Sequence, residues 1–306
     1  MWLYSVSAAT VIICCVLTSL ICRRYVLRTF NSIDTVLERI LNRDISAPFE
    51  TTGEDRISKL TSKANRIVDM CVSEVTQTKE EKETIQGFIS DMSHQMKTPL
   101  AGISMYADLL LDGNLSADEQ REFLSRMKSG TEKLQWMMDS LIKMSRLEVG
   151  AIMLSPASEN IKPTISDAIG SVVAAAAKKN VNISVSDFED TPLYHDKKWT
   201  REAMANVLEN AVKYSESDAE IEISVEPLPL YTKVIITDHG IGVVKADWNF
   251  IFKRFYRGQN VKNNEGAGLG LYLAALIMEK QGGYIMVDSI PGKFTSFSFF
   301  LRNGKR

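Results

Sequence analysis

An α plus α/β architecture is predicted by three features of the sequence. These are a charge-free apolar run at the N-terminus, long stretches with apolar residues at alternating steps of four and three, and a change near Gly150 to alternating strand and helix patterns. The expected order is a single N-terminal transmembrane helix over residues 1–22, a linker over 23–75, an antiparallel helical hairpin over 76–149 and an α/β sandwich over 150–306.

Leu3 to Cys22 carries no charge and is rich in Val, Ile, Leu and Ala. About twenty residues at 1.5 Å each match the roughly 30 Å of a bilayer core. A cleaved signal peptide is the competing reading; it is disfavoured because no basic stretch precedes the run, which is longer than a usual signal core. Arg23, Arg24 and Arg28 follow at once, so the N-terminus is expected outside the cytoplasmic membrane and everything later in the cytoplasm, with no outer ligand-binding domain.

With 306 residues there is room for about two domains beyond that run, and a hydrophobic fraction of 45% suits packed cores. A net charge of −2, without a basic stripe interleaved with aromatics, argues against nucleic acid as a partner. The four cysteines, Cys14, Cys15, Cys22 and Cys71, lack metal-ligand spacing and are expected to be reduced or buried in the membrane.

Residues 24–53 hold a helical pattern that breaks around Ser46, Pro48 and Gly53, and a second helical pattern starts at Asp55. Helix, connector, helix after a membrane span resembles a shortened HAMP-type relay, and a plain parallel coiled coil explains the pattern as well. Ile85, Ile89, Met92, Met96, Pro99, Ile103, Tyr106 and Leu110 then form an apolar seam. His94 lies off the seam, roughly 180° from the midpoint of Met92 and Met96 at about 100° per residue. Asp91, Lys97 and Thr98 flank it on the outer face. Pro99 has no N–H and crowds the carbonyl of Gln95, so a bend is expected beside the histidine. Taken alone, this geometry equally describes a coiled coil with a solvated histidine on its back.

Asp112 to Ser116 reads as a turn with Ser116 or Asn114 as helix cap. The second arm carries Leu124, Met127, Thr131, Leu134, Met138, Leu141 and Ser145 at fours and threes. Two such arms leave an apolar face too long to stay wet, so dimerisation into a four-helix bundle is expected. Beyond Gly150, strands are predicted near 151–155, 181–187, 219–226, 231–238, 283–290 and 294–301, and helices near 163–179, 197–214 and 268–281.

Within the sandwich, Asn206, Asn210 and Lys213 share one face of a predicted helix, a face suited to a Mg²⁺ phosphate complex because hard cations take oxygen ligands. The alternative is the polar outer face of an amphipathic helix. A strand over Val234–Ile236 ends at Asp238-His239-Gly240-Ile241-Gly242, where the carboxylate could meet an adenine amino group or simply close a turn. Gly266, Gly268 and Gly270 precede an apolar helix, which aims backbone N–H groups at an anion. No strand leads into these glycines and no G-x4-G-K-[ST] element occurs, so neither a dinucleotide fold nor a P-loop fits. The polar segment of roughly 25 residues between Gly240 and Gly266 is long enough for a lid. Inside it FIFKRFYR, Phe250–Arg257, offers Arg254 and Arg257 to a phosphate or to the hairpin, with Phe252 and Phe255 as anchors. His195 and His239 have no neighbours resembling a metal site.

Five blocks in this order resemble the bacterial sensor histidine kinases of two-component systems. They are Ser93-His94-Gln95-Met96-Lys97-Thr98-Pro99-Leu100, the asparagine box Asn206 to Tyr214, Asp238-x-Gly240-x-Gly242, the Phe250–Arg257 box and Gly266-x-Gly268-x-Gly270. The likeness covers about residues 75–302. It implies a dimerisation and histidine-phosphotransfer hairpin followed by an ATP-binding fold shared with gyrase, Hsp90 and MutL, acting as a homodimer. It further implies ATP and Mg²⁺ as cofactors, with the metal at Asn206 and Asn210 and the nucleotide also at Lys213, Tyr214, Asp238, Gly240, Gly242, Arg254, Gly266, Gly268 and Gly270. His94 would take the γ-phosphoryl group and pass it to an aspartate of a separate response regulator, since no receiver domain is expected on this chain.

One position departs from the family pattern. The residue after the histidine is usually acidic and here is Gln95, whose amide oxygen can orient the ring but cannot take its proton. Asp91 or water is then expected to receive the proton, and Thr98 matches the position that in relatives holds a water for dephosphorylating the regulator. A catalytically weak membrane adaptor, or a chain acting mainly as a phosphatase, is the alternative that Gln95 favours. A membrane companion such as a transporter is the expected source of the stimulus.

Overall fold

The structure, a computed structural model, describes residues 2–41, 56–258 and 266–304, and in the two N-terminal helices it describes the side chains only in part. The chain divides into two compact units, Met1–Gly87 and Phe88–Arg306. In the first unit α1 runs over Trp2–Leu41, and α2, Arg56–Leu111, begins. The side chains of Leu3 to Thr10, the start of the anticipated span, and the connector around Ser46, Pro48 and Gly53 lie outside the described residues. Among the described residues no helix is long and apolar enough to cross a membrane.

The second unit opens with the hairpin. α2 remains helical through Pro99. Met92, Met96, Pro99, Ile103, Tyr106 and Leu110 are half-buried and Asp91, His94, Lys97 and Thr98 exposed, so from Met92 onward the seam and the outer face fall where the period puts them, while Ile85 and Ile89 of the expected seam are exposed on the single chain. Ser116 caps α3, Ala117–Glu148: Glu119 N–H donates to the Ser116 hydroxyl at 3.3 Å and the Glu119 carboxylate accepts from the Ser116 N–H at 2.8 Å.

On α3 the buried stripe is wider than the expected seam. Met127, Leu134 and Leu141 are half-buried, Leu124, Thr131, Met138 and Ser145 are exposed on the single chain, and Met137, Met144 and Leu147, outside that seam, are buried. The reason is that α3 has two jobs: besides meeting α2, it joins the core of the α/β layers through those three residues. One helix facing two neighbours needs a stripe wider than a coiled-coil seam.

That α/β part comprises β1 (Ala157–Asn160), α4 (Ile161–Lys179), β2 (Asn182–Val185), β3 (Pro192–His195), α5 (Lys197–Tyr214), β4 (Glu220–Pro227), β5 (Tyr231–Asp238), α6 (Gly270–Lys280), β6 (Tyr284–Ile290) and β7 (Phe294–Arg302). The sheet runs β1-β3-β7-β5-β4-β2, with β6 also on β7; β2 is parallel to β4 and the other pairs are antiparallel. Strand alternation sets the core: Ile221 and Ile223, Val234 and Ile236, and Phe297, Phe299 and Leu301 are buried with Ala203, Val207 and Leu208 of α5 and Leu273 and Ile277 of α6. The strand expected at 151–155 is absent. There Ser155 N–H donates to Asp196 at 2.9 Å instead, and β1 is the polar ASEN segment, exposed at every position and so without an alternation to read. Its partner β3 is as short and was not anticipated.

Candidate functional site

The buried positions of β5 are Thr232, Val234, Ile236 and Asp238, so the period of two that packs the strand also carries a carboxylate to the core side at its end. Asp238 is only 5% exposed and accepts the Gly240 N–H at 3.0 Å. Burial pushes its carboxyl up to about 6, against the opposing pull of the Gly240 bond and of His239.

Across from it stands α5, started by Asp196, which accepts the Trp199 N–H at 3.1 Å. Its far end is held from α4: the Lys179 ammonium donates to the carbonyls of Val212 at 3.1 Å, Lys213 at 2.8 Å and Ser215 at 2.5 Å. Asn206 donates its amide N–H to the Glu202 carbonyl at 2.8 Å, which leaves its Oδ1 turned to Gly270. A Cβ at Gly270 would come within 2.8 Å of that oxygen, so the helix start can approach α5 only without a side chain. Gly268, at φ +71°, makes the turn into α6 and accepts the Phe255 N–H at 2.8 Å.

These parts enclose a cavity of about 540 Å³, within the range of small-molecule sites. Asn206, Asn210, Lys213 and Tyr214 line it from α5, Asp238 and Gly242 from the end of β5, and Gly266, Gly268 and Gly270 from the glycine turn. Lys213 Nζ donates to the Tyr214 hydroxyl at 3.1 Å. Gly240 is behind the wall rather than on it. The anticipated lid lies in part outside the described residues, at 259–265.

Arg254 does not reach the cavity. It pairs with Glu148, the last residue of α3, donates to the Tyr272 hydroxyl at 2.9 Å and covers the Phe88 ring at 5.1 Å. Of the alternatives offered by its sequence, phosphate or hairpin, Arg254 takes the hairpin; Arg257 lines the cavity. Phe255, beside it, packs 6.0 Å from Phe88.

Asp91, His94, Gln95 and Thr98 sit on α2 outside the cavity wall. His94 is exposed and Gln95 half-buried. His195 is the opposite case, fully buried, with Nδ1 bonded to the Leu193 carbonyl at 3.0 Å and Nε2 to the Thr164 hydroxyl at 2.9 Å. Because a carbonyl can only accept, Nδ1 carries the proton and Nε2 accepts from Thr164, a neutral ring that burial favours by pulling its pKa down. Unanticipated in the wall are Ser129, Gly130, Glu132, Lys133 and Trp136 of α3. On a hairpin they read as solvated positions, and no periodicity marks a helix that will border a site in another layer.

Comparison with known families matches residues 84–150 to the His Kinase A (phospho-acceptor) domain and residues 195–305 to the histidine kinase-, DNA gyrase B- and HSP90-like ATPase. The sensor-like histidine kinase SenX3 of Mycolicibacterium smegmatis is 25% identical over 248 residues, 80% of this chain and 65% of that protein. The signal transduction histidine-protein kinase/phosphatase MprB of Mycobacterium avium is 24% identical over 276 residues, 87% of this chain and 50% of that one. The chain therefore spans between half and two thirds of the length of these relatives. Among solved structures, the Acinetobacter baumannii histidine kinase AdeS superposes with a TM-score of 0.56 at 18% identity, over 69% of this chain and 98% of that one. A histidine kinase ThkA, solved in complex with the response regulator TrrA, gives 0.62 at 18% identity, over 77% of this chain and 67% of that one. Both likenesses are of fold.

Proposed function

We propose that this chain, which belongs to the sensor histidine kinases through its phospho-acceptor domain at 84–150 and its ATPase domain at 195–305, transfers the γ-phosphoryl group of ATP to His94 and from there to an aspartate of a separate response regulator. The observation that carries this reading is the cavity in which Asp238, Asn206, Asn210, Lys213 and the glycine turn converge, on a chain whose hairpin turns an exposed histidine outward.

In this reading Asp238 accepts the adenine amino N–H, and the backbone N–H groups at the start of α6 with Lys213 receive the phosphates. The donor set fits Mg²⁺ as a phosphate-borne ion: Asn206 and Asn210 offer amide oxygens, and among the described residues no cluster of three or more His, Cys, Asp or Glu could hold a metal alone. Bound there, the ion would neutralise phosphate charge. A ring nitrogen of His94 attacks the γ-phosphorus, the bond to the β–γ bridging oxygen breaks with its electrons going to ADP, and the ring proton leaves to water or Asp91. Gln95 orients the ring as an acceptor. Placement and charge neutralisation supply most of the acceleration. Thr98, one turn on, supports a phosphatase role toward the regulator.

The working unit is a homodimer. Leu100, Met105 and Leu109 of α2 and Leu124, Met138 and Ile142 of α3 are exposed on the single chain, an apolar surface that a second hairpin would cover as a four-helix bundle. The expected segments 1–22, 23–75, 76–149 and 150–306 are proposed as anchor, relay, phosphotransfer and ATP-binding parts. Location in the cytoplasmic membrane rests on the run Leu3 to Cys22, the arginines after it and the exposed Val11, Ile12, Ile13, Val16 and Leu17 along α1. A membrane partner such as a transporter would bring the stimulus.

The test is incubation of the purified chain with Mg²⁺ and γ-labelled ATP. Acid-labile, alkali-stable label that vanishes in His94→Gln is the expected result; label that persists in the variant sinks the assignment. A chain that binds ATP yet takes no label supports the adaptor reading favoured by Gln95.

A further inference from the structure

α3 and α5 border the same cavity and are joined by one ion pair beside it. Lys143 of α3 pairs with Glu202 of α5 at 2.5 Å. Toward the N-terminus of α3 from that pair, Trp136, Lys133 and Ser129 line the cavity; toward the C-terminus of α5, Asn206, Asn210 and Lys213 line the same cavity. From Lys143 to Lys133 is about 15 Å of helix, and from Glu202 to Lys213 about 16 Å, so the Lys143–Glu202 pair stands a similar length of helix from both lysines, which line the same cavity.

Lys133 is half-buried and makes no hydrogen bond or ion pair among the described residues. Of the two carboxylates on its stretch of wall, Glu132 pairs with Lys128 at 3.8 Å, and Glu209, whose carboxyl is pushed up by burial and by Glu202, makes no ion pair with Lys133. An ammonium held half out of water at a cavity wall, with no protein partner among the described residues, is placed to receive an anion. Trp136, 37% exposed and one turn along, gives the same wall an aromatic face.

We infer that the hairpin itself completes the nucleotide site, with Lys133 of α3 contacting the polyphosphate and Trp136 packing beside the nucleotide. This rests on the reading of the cavity as an ATP site and extends it to a helix outside the ATPase domain. Its consequence is a linkage: a ligand touching both α3 and α5 favours the arrangement in which the two lie side by side, so nucleotide occupancy and seating of the ATPase domain on the hairpin rise together.

The experiment measures binding of ADP and of a non-hydrolysable ATP analogue to the full chain by calorimetry, across a salt series, together with tryptophan emission. Lys133→Gln is expected to weaken both nucleotides about tenfold and to flatten the salt dependence, and Lys133→Arg to restore both. Nucleotide should change the emission of the wild-type chain, and Trp136→Phe should remove that change while calorimetry still registers binding. Unaltered affinity and salt slope in Lys133→Gln, or an emission change that survives Trp136→Phe, overturns the inference. A wild-type chain that takes up neither nucleotide overturns the ATP-site reading beneath it instead.

Discussion

The outer face of α2 and the end of β5 are built on opposite terms. His94 stands exposed on a single helix, with no hydrogen-bond partner among the described residues, and nothing in the core leans on it. Asp238 closes a buried alternation, is bonded to its own turn and shares a cavity with residues from α3, α5 and the glycine turn. On the proposed reading His94 is a phosphoryl acceptor that different partners reach in turn, and it is carried where substitution costs the fold little. A nucleotide pocket must hold its groups still in a dry wall, so its polar residues are paid for in stability.

This contrast fails if the two sites respond alike to substitution. His94→Gln should lower phosphorylation by about 10³-fold or more while the thermal midpoint stays within about 2 °C, measured by labelling and by calorimetric melting. Asp238→Asn should weaken nucleotide by about 10²-fold yet raise the stability of the nucleotide-free chain at pH 8, by up to about 3 kcal/mol, because a buried charge disappears. The pH dependence follows the same cause. With its carboxyl at about 6 in the fold against 3.8 unfolded, Asp238 holds a proton between those values that the unfolded chain lacks. Its contribution to stability therefore falls as pH rises through that window and is level above it, whereas nucleotide affinity should fall as pH drops below about 6. Denaturant titrations and binding isotherms from pH 4 to 8 would reveal either trend reversed.

Lys179→Met, distant from any transferred group, should cost about 1–3 kcal/mol by leaving three carbonyls at the end of α5 without their donor, read from the urea midpoint. The smallest effect is expected at the outer face: Gln95→Glu should raise labelling by less than about tenfold. A rise of a hundredfold or more would make Gln95 a handicap and the chain mainly a phosphatase.

Local patterns were readable wherever the residue's period and its burial have one cause. The α2 seam from Met92 onward, the Ser116 cap, the helices carrying Asn206 and following Gly270, and the strand delivering Asp238 all sit where spacing put them. The misreadings arose where two neighbours compete for one element or where no core face exists. α3 divides its apolar positions between α2 and the α/β core, and β1 buries nothing at all. Arg254, placed by motif among phosphate ligands, is turned to Glu148 by a contact 106 residues away in sequence, and Lys133 and Trp136 gain meaning only once α3 and α5 are side by side.

The clamp formed by Lys179 on the carbonyls of Val212, Lys213 and Ser215 makes the two rims of the cavity unequal. One rim is riveted to the body of the domain by a cation at a helix end, while the facing rim is the glycine turn, where Gly268 is tied to Phe255 by a single backbone bond. On the proposed reading, a bound nucleotide would therefore meet its more rigid contacts on the α5 side and its more lightly tied ones at Gly268.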